Sequence, residues 1–243
     1  MRLTRIYTPQ HLTLKQKLAL EAGASRHIAK VLRMRAGREL VVFNGQGGEY
    51  RAQITAAGNN AVEVVLTDFS AVDRESPLAI TLGIGISRGD RMDWVIQKAV
   101  ETGVTAIAPL FTERTEVRLA AERLQKKHRH WQQVTISACE QCGRNRLPQI
   151  EQPQLLQPWL QQVAADKKFV LHHKAGRHPL DAGAEPASVA LLIGPEGGLA
   201  GPEIDAAESH GFEALALGPR VLRTETAPLV AIGILQQLWG DIP

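Results

Sequence analysis

Two stretches, residues 191–199 and 217–227, constrain the fold of this chain more than any other feature of its sequence. Each follows a run of apolar residues and carries glycine and proline where a strand would pass into a helix. Glycine permits positive φ and the close approach of a ligand, whereas proline fixes φ. Because the stretches lie about one βαβ unit apart, we expect them to form two walls of a small-molecule pocket at the ends of parallel strands.

The pattern of predicted elements changes near residue 70. Before it, four short strands are predicted at residues 5–7, 40–43, 49–55 and 61–68, with glycine-rich turns and one helix over 24–33 between them. These features predict a small β-barrel domain over residues 1–72. The polar segment 73–77, which ends in proline, is interpreted as a linker.

After residue 77, strands alternate with helices. The predicted strands are 78–86, 104–110, 169–172, 189–193 and 214–217, and the predicted helices are 91–101, 119–138, 155–165, 202–210 and 224–239. This order predicts an α/β domain with a largely parallel sheet over residues 73–243. The last helix is apolar around nearly its whole circumference, which favours a homodimer, with burial inside a single subunit as the alternative.

The composition is that of a soluble globular protein, with 44% hydrophobic and 22% charged residues. No segment approaches the length of a membrane span, and the first residues lack the apolar core of a signal peptide, so a cytoplasmic protein is expected. Cys139 and Cys142 are interpreted as reduced thiols, with a thiol-redox protein as the alternative. The net charge of +3 permits a nucleic-acid partner without requiring one.

Several common sites are excluded by spacing. Gly83 and Gly85 could begin a dinucleotide fingerprint, but Arg88 occupies the place of the third glycine. The pair His172 and His173 lacks the further ligands of a metal site, so no metal is expected. The glycine stretches carry little positive charge and are flanked by leucines. An adenosine-type ligand, held by apolar contacts and main-chain hydrogen bonds, therefore suits them better than a polyphosphate.

The two stretches, which contain Gly194-Pro-Glu-Gly-Gly198 and Gly218-Pro-Arg-Val-Leu-Arg-Thr-Glu-Thr226, resemble the cofactor motifs of the SPOUT methyltransferases. More specifically, they resemble the RsmE family of 16S ribosomal RNA uridine-N3 methyltransferases. Segments 27–33, 97–103, 109–114 and 140–146 agree, so the resemblance covers essentially the whole chain. It implies an N-terminal PUA-like β-barrel that binds RNA, and a C-terminal SPOUT α/β domain with a trefoil knot. It also implies a homodimer joined through the knot region.

The same resemblance implies a cofactor, a reaction and a partner. S-adenosylmethionine is expected against Leu171, His172, Gly194, Gly197, Gly198, Leu217, Gly218, Arg220, Leu222 and Thr224. The implied reaction methylates N3 of a uridine in the decoding region of 16S rRNA. The assembled small subunit is the expected substrate, with free RNA as the alternative. Two alternatives stay open: another SPOUT enzyme that acts on ribose 2′-O or tRNA, and a non-catalytic ribosome-assembly RNA binder.

Candidate catalytic residues follow from the chemistry of N3, which must lose a proton before it can attack a methyl group. Arg114 or Arg223, with Arg88 behind them, could stabilise the anion, and Glu196 or Glu225 could accept the proton. Glu225 has a structural alternative, because an acid in the first turn of a helix is favourable; Thr224 is then the predicted N-cap. The predicted RNA contacts are Arg26, Lys30, Arg33, Arg88, Arg144 and Arg146.

Overall fold

The computed structural model describes residues 3–58, 61–117, 120–172 and 185–243. The chain divides into two compact units. The first comprises Met1–Glu75 together with Cys139–Leu147, and the second comprises Ser76–Ala138 together with Pro148–Pro243. Residues 139–147, which the sequence analysis assigned to the second domain, therefore lie in the first unit.

The first unit is built on a five-stranded sheet. Its elements are β1 (Arg5–Tyr7), β2 (Lys17–Ala19), α1 (Ala22–Arg26), a π-helical turn (His27–Val31), β3 (Glu39–Phe43), β4 (Glu49–Ala57) and β5 (Val62–Ser70). The strand order is β1-β3-β4-β5-β2, and only the β1–β3 pair among these strands is parallel. Val62, Val64 and Leu66 are fully buried at every second position of β5, which is the period-2 pattern of a strand with one face on a core.

Within this unit, residues 143–146 hold residues 72–75, which end its N-terminal segment. The Arg74 guanidinium donates to the Gly143 carbonyl at 2.9 Å, and the Asn145 amide donates to the Val72 carbonyl at 2.8 Å. Arg144 forms an ion pair with Glu75. Residues 72–75, in part the predicted linker, are thus held by side-chain hydrogen bonds.

The second unit alternates strands and helices as predicted. Its elements are β6 (Ala79–Gly85), α2 (Arg91–Glu101), β7 (Ala106–Phe111), α3 (Ala121–Cys142), β8 (Gln149–Ile150), β9 (Gln154–Leu155), α4 (Leu156–Gln162), β10 (Lys167–Leu171), β11 (Ser188–Ile193), α5 (Gly201–Ser209), β12 (Glu213–Leu215) and α6 (Thr226–Trp239). The end of α3, from Cys139 onward, belongs to the first unit. The strand order is β12-β10-β11-β6-β7-β8, with β9 also paired to β7, and every pair is parallel.

The parallel sheet brings the two glycine stretches to one edge. β10 lies between β11 and β12, with Leu171 opposite Leu215 in the register. Because parallel strands end at the same edge of a sheet, the segments after β10, β11 and β12 all begin there. The fold therefore explains how residues 171–172, 194–199 and 217–224 come together.

Helix α6 packs with one face on its own unit. Ala231, Ile232 and Leu235 are fully buried, and Gln236 is buried with its amide donating to the Thr102 carbonyl at 3.1 Å. Leu238, by contrast, is 41% exposed. The single chain thus leaves part of this apolar helix uncovered.

Candidate functional site

One cavity lies at the strand edge that carries the glycine stretches. Its volume is about 230 Å³, and its walls come from the ends of β10, β11 and β12, the loops that follow them, and the start of α6. All ten residues predicted to hold the cofactor line it: Leu171, His172, Gly194, Gly197, Gly198, Leu217, Gly218, Arg220, Leu222 and Thr224. Residues up to 53 positions apart in sequence thus share one cavity, which we call the main cavity.

The loop after β11 forms the first wall with its backbone. Gly198 has φ of 71°, and its N–H donates to the Pro195 carbonyl at 2.8 Å, which closes a tight turn. A Cβ atom on Gly194 would lie 2.6 Å from the carbonyl carbon of Gly198 and from the nitrogen of Leu199. Glycine is therefore needed at 194 for close backbone approach and at 198 for positive φ.

The segment before α6 forms the second wall. The Arg223 carbonyl accepts hydrogen bonds from the N–H groups of Thr226 and Ala227, each at 2.9 Å. A turn therefore occupies residues 224–225, and the helix begins at Thr226 with Glu225 as its N-cap residue. The prediction that Thr224 caps the helix is wrong, because this extra turn moves the helix start two residues along the chain.

A second depression, which we call the side groove, adjoins the main cavity. It has a volume of about 410 Å³ and is lined by Arg91, Glu196, Val221, Leu222, Arg223, Thr224 and Glu225. Four of these residues, Glu196, Val221, Leu222 and Thr224, also line the main cavity, so the two spaces share a wall. Three of the four predicted catalytic residues, Glu196, Arg223 and Glu225, meet in this groove.

Arg114, the fourth predicted catalytic residue, lines neither space. Its guanidinium donates to the Gly197 carbonyl at 2.8 Å, and its side chain packs against the position that a Cβ on Gly197 would take. Arg114 therefore supports the glycine loop from outside. This geometry favours a structural role for Arg114 over direct contact with a reacting base.

Glu196 is fixed by the beginning of α2. One carboxylate oxygen accepts the Arg88 backbone N–H and the Arg91 guanidinium, both at 2.9 Å. Burial raises the pKa of the Glu196 carboxyl, but hydrogen bonds from the Arg88 backbone, from its own backbone and from Arg91 outweigh that effect and hold the pKa below its ordinary value. A carboxylate with a lowered pKa binds a proton weakly, so the geometry does not favour Glu196 as the proton acceptor.

Arg91 was missed by the sequence analysis. It is the first residue of an amphipathic helix, a position at which a charged side chain is unremarkable. Its place in the site follows from the sheet topology of the structure, since α2 follows β6, and β6 pairs with β11. A helix that starts beyond the end of β6 begins at the same sheet edge as the glycine loop.

The predicted RNA contacts differ in exposure. Arg26, Lys30 and Arg33 are exposed on α1, on the π-helical turn and just beyond it. Arg88 is also exposed, and its guanidinium pairs with Glu116 at 2.5 Å. These four side chains are accessible to a phosphate backbone.

The other two predicted RNA contacts form ion pairs with acidic residues of segment 72–75. Arg144 is only 5% exposed and pairs with Glu75, so its prediction as a phosphate contact is wrong: the charge is compensated inside the unit. Arg146 is half-exposed, with its guanidinium 3.1 Å from the Asp73 carboxylate and donating to the Gln46 carbonyl at 3.3 Å. Sequence alone does not separate such structural arginines from surface ones.

The cysteines are free thiols in this structure. Cys139 is buried, and burial raises the pKa of its thiol to about 12. A thiol with so high a pKa supplies almost no thiolate at neutral pH, which argues against the redox alternative.

His173, the second residue of the histidine pair considered in the sequence, lies outside the described residues.

Two absences hold for the residues that the structure describes. Among them, no three His, Cys, Asp or Glu side chains come together as a candidate metal site. None of the helices built from them is long and apolar enough to cross a bilayer.

Known protein families match both units. Residues 74–236 match the RNA methyltransferase domain, and residues 20–67 match the RNA methyltransferase PUA domain. Ribosomal RNA small subunit methyltransferase E of Buchnera aphidicola subsp. Schizaphis graminum is 36% identical over 242 residues, which cover 99% of this chain and 98% of that protein. The chain belongs to the small subunit methyltransferase E family.

Solved structures of methyltransferases agree with this membership over the full length. Ribosomal RNA small subunit methyltransferase E of Neisseria gonorrhoeae, bound to S-adenosyl methionine, is 38% identical with a TM-score of 0.92. A Legionella pneumophila protein named a methyltransferase, in complex with the bound cofactor SAM, is 42% identical with a TM-score of 0.97. Both alignments cover 100% of each chain. The predicted family and fold class, a PUA-like domain followed by a parallel-sheet methyltransferase domain, are confirmed.

Proposed function

We propose that this chain transfers a methyl group from S-adenosylmethionine to N3 of a uridine in the 16S RNA of the small ribosomal subunit. One observation carries the proposal: the ten residues matched to the family's cofactor motifs all line one cavity. The names of the chain's relatives, which are rRNA small subunit methyltransferases, support the class of RNA.

The residues of the main cavity fit an adenosine-bearing molecule. Two walls consist largely of backbone at Gly194, Gly198 and Gly218, where main-chain amides and carbonyls are free of covering Cβ atoms. Leu171 and Leu217 supply apolar contact for a planar ring. When bound there, S-adenosylmethionine supplies a methyl group that is already electrophilic.

The side groove would hold the acceptor base beside that cavity. Uridine N3 carries a proton at neutral pH, and its loss leaves negative charge on O2 and O4. In this proposal Glu225 accepts the proton and the Arg223 guanidinium, 4.0 Å from it, stabilises the anion. One well-placed donor of this kind contributes roughly 10²–10³ in turnover, and alignment of the reacting atoms contributes more.

The first unit would contribute contacts with the RNA backbone. The exposed side chains of Arg26, Lys30 and Arg33 suit contacts with phosphates. Such contacts gain affinity from the release of counterions, so this affinity falls as the salt concentration rises. Arg88, exposed in the second unit, is proposed as a further contact. Such contacts position the RNA and carry no base specificity of their own.

The proposal includes a SPOUT trefoil knot around the main cavity and a homodimer joined near it. The partly uncovered apolar helix α6, with Leu238 at 41% exposure, supports association with a second copy. We place the protein in the cytoplasm, where its 16S substrate in the small subunit would be found. Sedimentation at several protein concentrations tests the dimer.

The decisive experiment is product identification. The purified protein is incubated with labelled S-adenosylmethionine and either small subunits or free 16S RNA that lack modifications, and the digested RNA is analysed by nucleoside. N3-methyluridine supports the proposal, and the two substrates separate assembled from free RNA. Label on a ribose or on added tRNA overturns the acceptor, and cofactor binding without label indicates a non-catalytic assembly factor.

A further inference from the structure

The side groove contains a guanidinium that the proposed catalytic set does not use. Arg91 lines the groove, its side chain is 49% exposed, and its hydrogen bond to Glu196 uses one of the five N–H donors of a guanidinium. The residue therefore keeps donors that the hydrogen bond to Glu196 does not use.

Arg91 is also held more firmly than Arg223. Its nitrogen lies 2.9 Å from the Glu196 carboxylate, which the Arg88 backbone N–H fixes in turn. The Arg223 side chain is 83% exposed and lies 4.0 Å from its carboxylate partner, Glu225. A donor that is already oriented stabilises developing charge without the cost of reorganisation. Of the two guanidiniums, Arg91 is thus the better preorganised.

The groove presents its polar groups in a pattern that matches one base. It offers two guanidinium donors, Arg91 and Arg223, and a carboxylate acceptor, Glu225, beside an apolar wall that includes Val221, which is 78% exposed. A second carboxylate, Glu196, also lines the groove, but it already accepts hydrogen bonds from Arg88 and Arg91. The N3 edge of uracil carries two carbonyl acceptors around one N–H donor. Cytosine has a bare N3 acceptor and an amino donor at the same places, so it would set an acceptor against the carboxylate and a donor against a guanidinium.

We propose that Arg91 is a catalytic residue that binds a uracil carbonyl in the side groove, and that with Arg223 and Glu225 it selects uracil over cytosine. The inference rests on the proposed function and names how the acceptor base is recognised. Glu196 acts through Arg91, and is therefore a positioning residue rather than a base. The proton of N3 passes to Glu225, and the N3–methyl bond forms as the methyl–sulfur bond of S-adenosylmethionine breaks. The sulfur keeps that electron pair, so S-adenosylhomocysteine leaves as a neutral thioether.

Arg91→Gln tests this directly, with Lys98→Gln as the matched control. Lys98 lies on the same helix and also pairs with a glutamate, Glu101, but lies outside both the main cavity and the side groove. We expect Arg91→Gln to lower kcat roughly 10³-fold, against roughly 10²-fold for Arg223→Gln, while the affinity for S-adenosylmethionine, measured by calorimetry, stays unchanged. Lys98→Gln should behave as the parent protein.

Two further readouts separate contact with the base from support of the glycine loop. Because a nearby cation favours the deprotonated form of N3, its loss should move the rise of kcat with pH to higher pH. In competition binding without a methyl donor, the parent protein should prefer RNA with the target uridine over RNA with cytidine there by about 10-fold, and Arg91→Gln should lose that preference.

The outcomes distinguish the two proposals. If the parent protein forms no N3-methyluridine, the proposed function fails. If it does, but Arg91→Gln keeps its kcat, pH profile and base preference, the inference about Arg91 alone is wrong. A fall in kcat that accompanies weaker cofactor binding, with pH profile and base preference intact, also overturns it, since Arg91 then only supports the loop.

Discussion

Arginine–glutamate pairs occur in both units, and they differ in burial. In the first unit, Arg144 pairs with Glu75 while their side chains are 6% and 15% exposed. In the second, the side chains of Arg223 and Glu225 are 83% and 21% exposed at the rim of the side groove. The same residue types thus form a buried pair in the first unit and a solvent-exposed pair in the second. A buried pair must be complete to be tolerated, whereas an exposed pair can exchange its partner for a ligand.

The largest expected effect is on the buried pair. Arg144→Met should destabilise the protein by about 3–5 kcal/mol, because it leaves the Glu75 carboxylate without its partner inside the first unit. Denaturant unfolding measures this change. Arg146→Met is the control: its half-exposed pair with Asp73 should contribute only about 0–1 kcal/mol. If both variants lost the same free energy of unfolding, burial would not distinguish the two ion pairs.

The exposed pair should behave in the opposite way. Arg223→Gln should lower methylation turnover by roughly 10²-fold, because a donor to the developing anion is lost. Its free energy of unfolding should change by less than about 0.5 kcal/mol, as for other surface substitutions. Single-turnover assays together with denaturant unfolding measure both quantities. A variant that unfolds easily but keeps its turnover would contradict the comparison.

The main cavity allows a test of backbone packing. Gly194→Ala should weaken S-adenosylmethionine binding by about 1–3 kcal/mol, because the new methyl group would force apart the backbone at Gly198 and Leu199. Calorimetric titration measures the loss. Gly201→Ala, at the start of α5 where a Cβ meets nothing within 4 Å, is the matched control and should bind normally. Normal binding by Gly194→Ala would show that the loop adapts.

Within the first unit, two carboxyl groups should change the stability with pH in opposite directions. Burial raises the pKa of the Glu49 carboxyl, but hydrogen bonds and charge from Arg5 and Arg74 outweigh it and hold the pKa below its ordinary value. The stability from this lowered pKa is present above the unfolded value near 4.5 and is lost as pH falls through the folded value. Glu49→Gln should therefore cost about 1.5–3 kcal/mol at neutral pH and reduce the loss of stability below pH 4.5.

Glu140 should show the reverse dependence. Burial raises the pKa of its carboxyl above the ordinary value, although the Tyr7 backbone N–H, at 2.9 Å, opposes the shift. The ionised Glu140 therefore lowers the free energy of unfolding at neutral pH, and this loss of stability shrinks as pH falls through the raised pKa of the folded state. Glu140→Gln, which keeps an acceptor for Tyr7, should be as stable as the parent or more so at pH 7. Urea titrations from pH 3 to 7 compare both variants; a loss at pH 7 would refute the assignment.

Local patterns predicted most of the secondary structure. The helix predicted over residues 91–101 is found as Arg91–Glu101, because its apolar residues repeat at helical spacing and share one buried face. The helix predicted over 24–33 is instead α1 followed by a π-helical turn, a change of hydrogen bonding that side-chain periodicity does not reveal. β2 was missed: of its three residues only Leu18 is buried, so little in the local sequence marks it as a strand.

The candidate site was predictable in its backbone and less so in its charges. Gly198 and Gly218 have positive φ, and Gly194 lies too close to other backbone to carry a Cβ. Because such positions favour glycine, the glycine-rich stretches of the sequence predicted the walls of the main cavity. The predicted phosphate contact at Arg144 was wrong, and Arg91 was missed. An arginine reaches many places from one backbone position, and its partner is set by which elements the fold brings beside it.

By itself, the sequence determined the family, the alternation of strands and helices in the second unit and the residues of the glycine walls, because each depends on local spacing or on fixed backbone conformation. Only the tertiary structure decided that residues 139–147 join the first unit, that Arg144 is buried while Arg223 is exposed, and that Arg91 faces the side groove. Those outcomes depend on burial and on partners distant in the chain. Burial sets whether a charge is compensated by the protein or is available to a ligand.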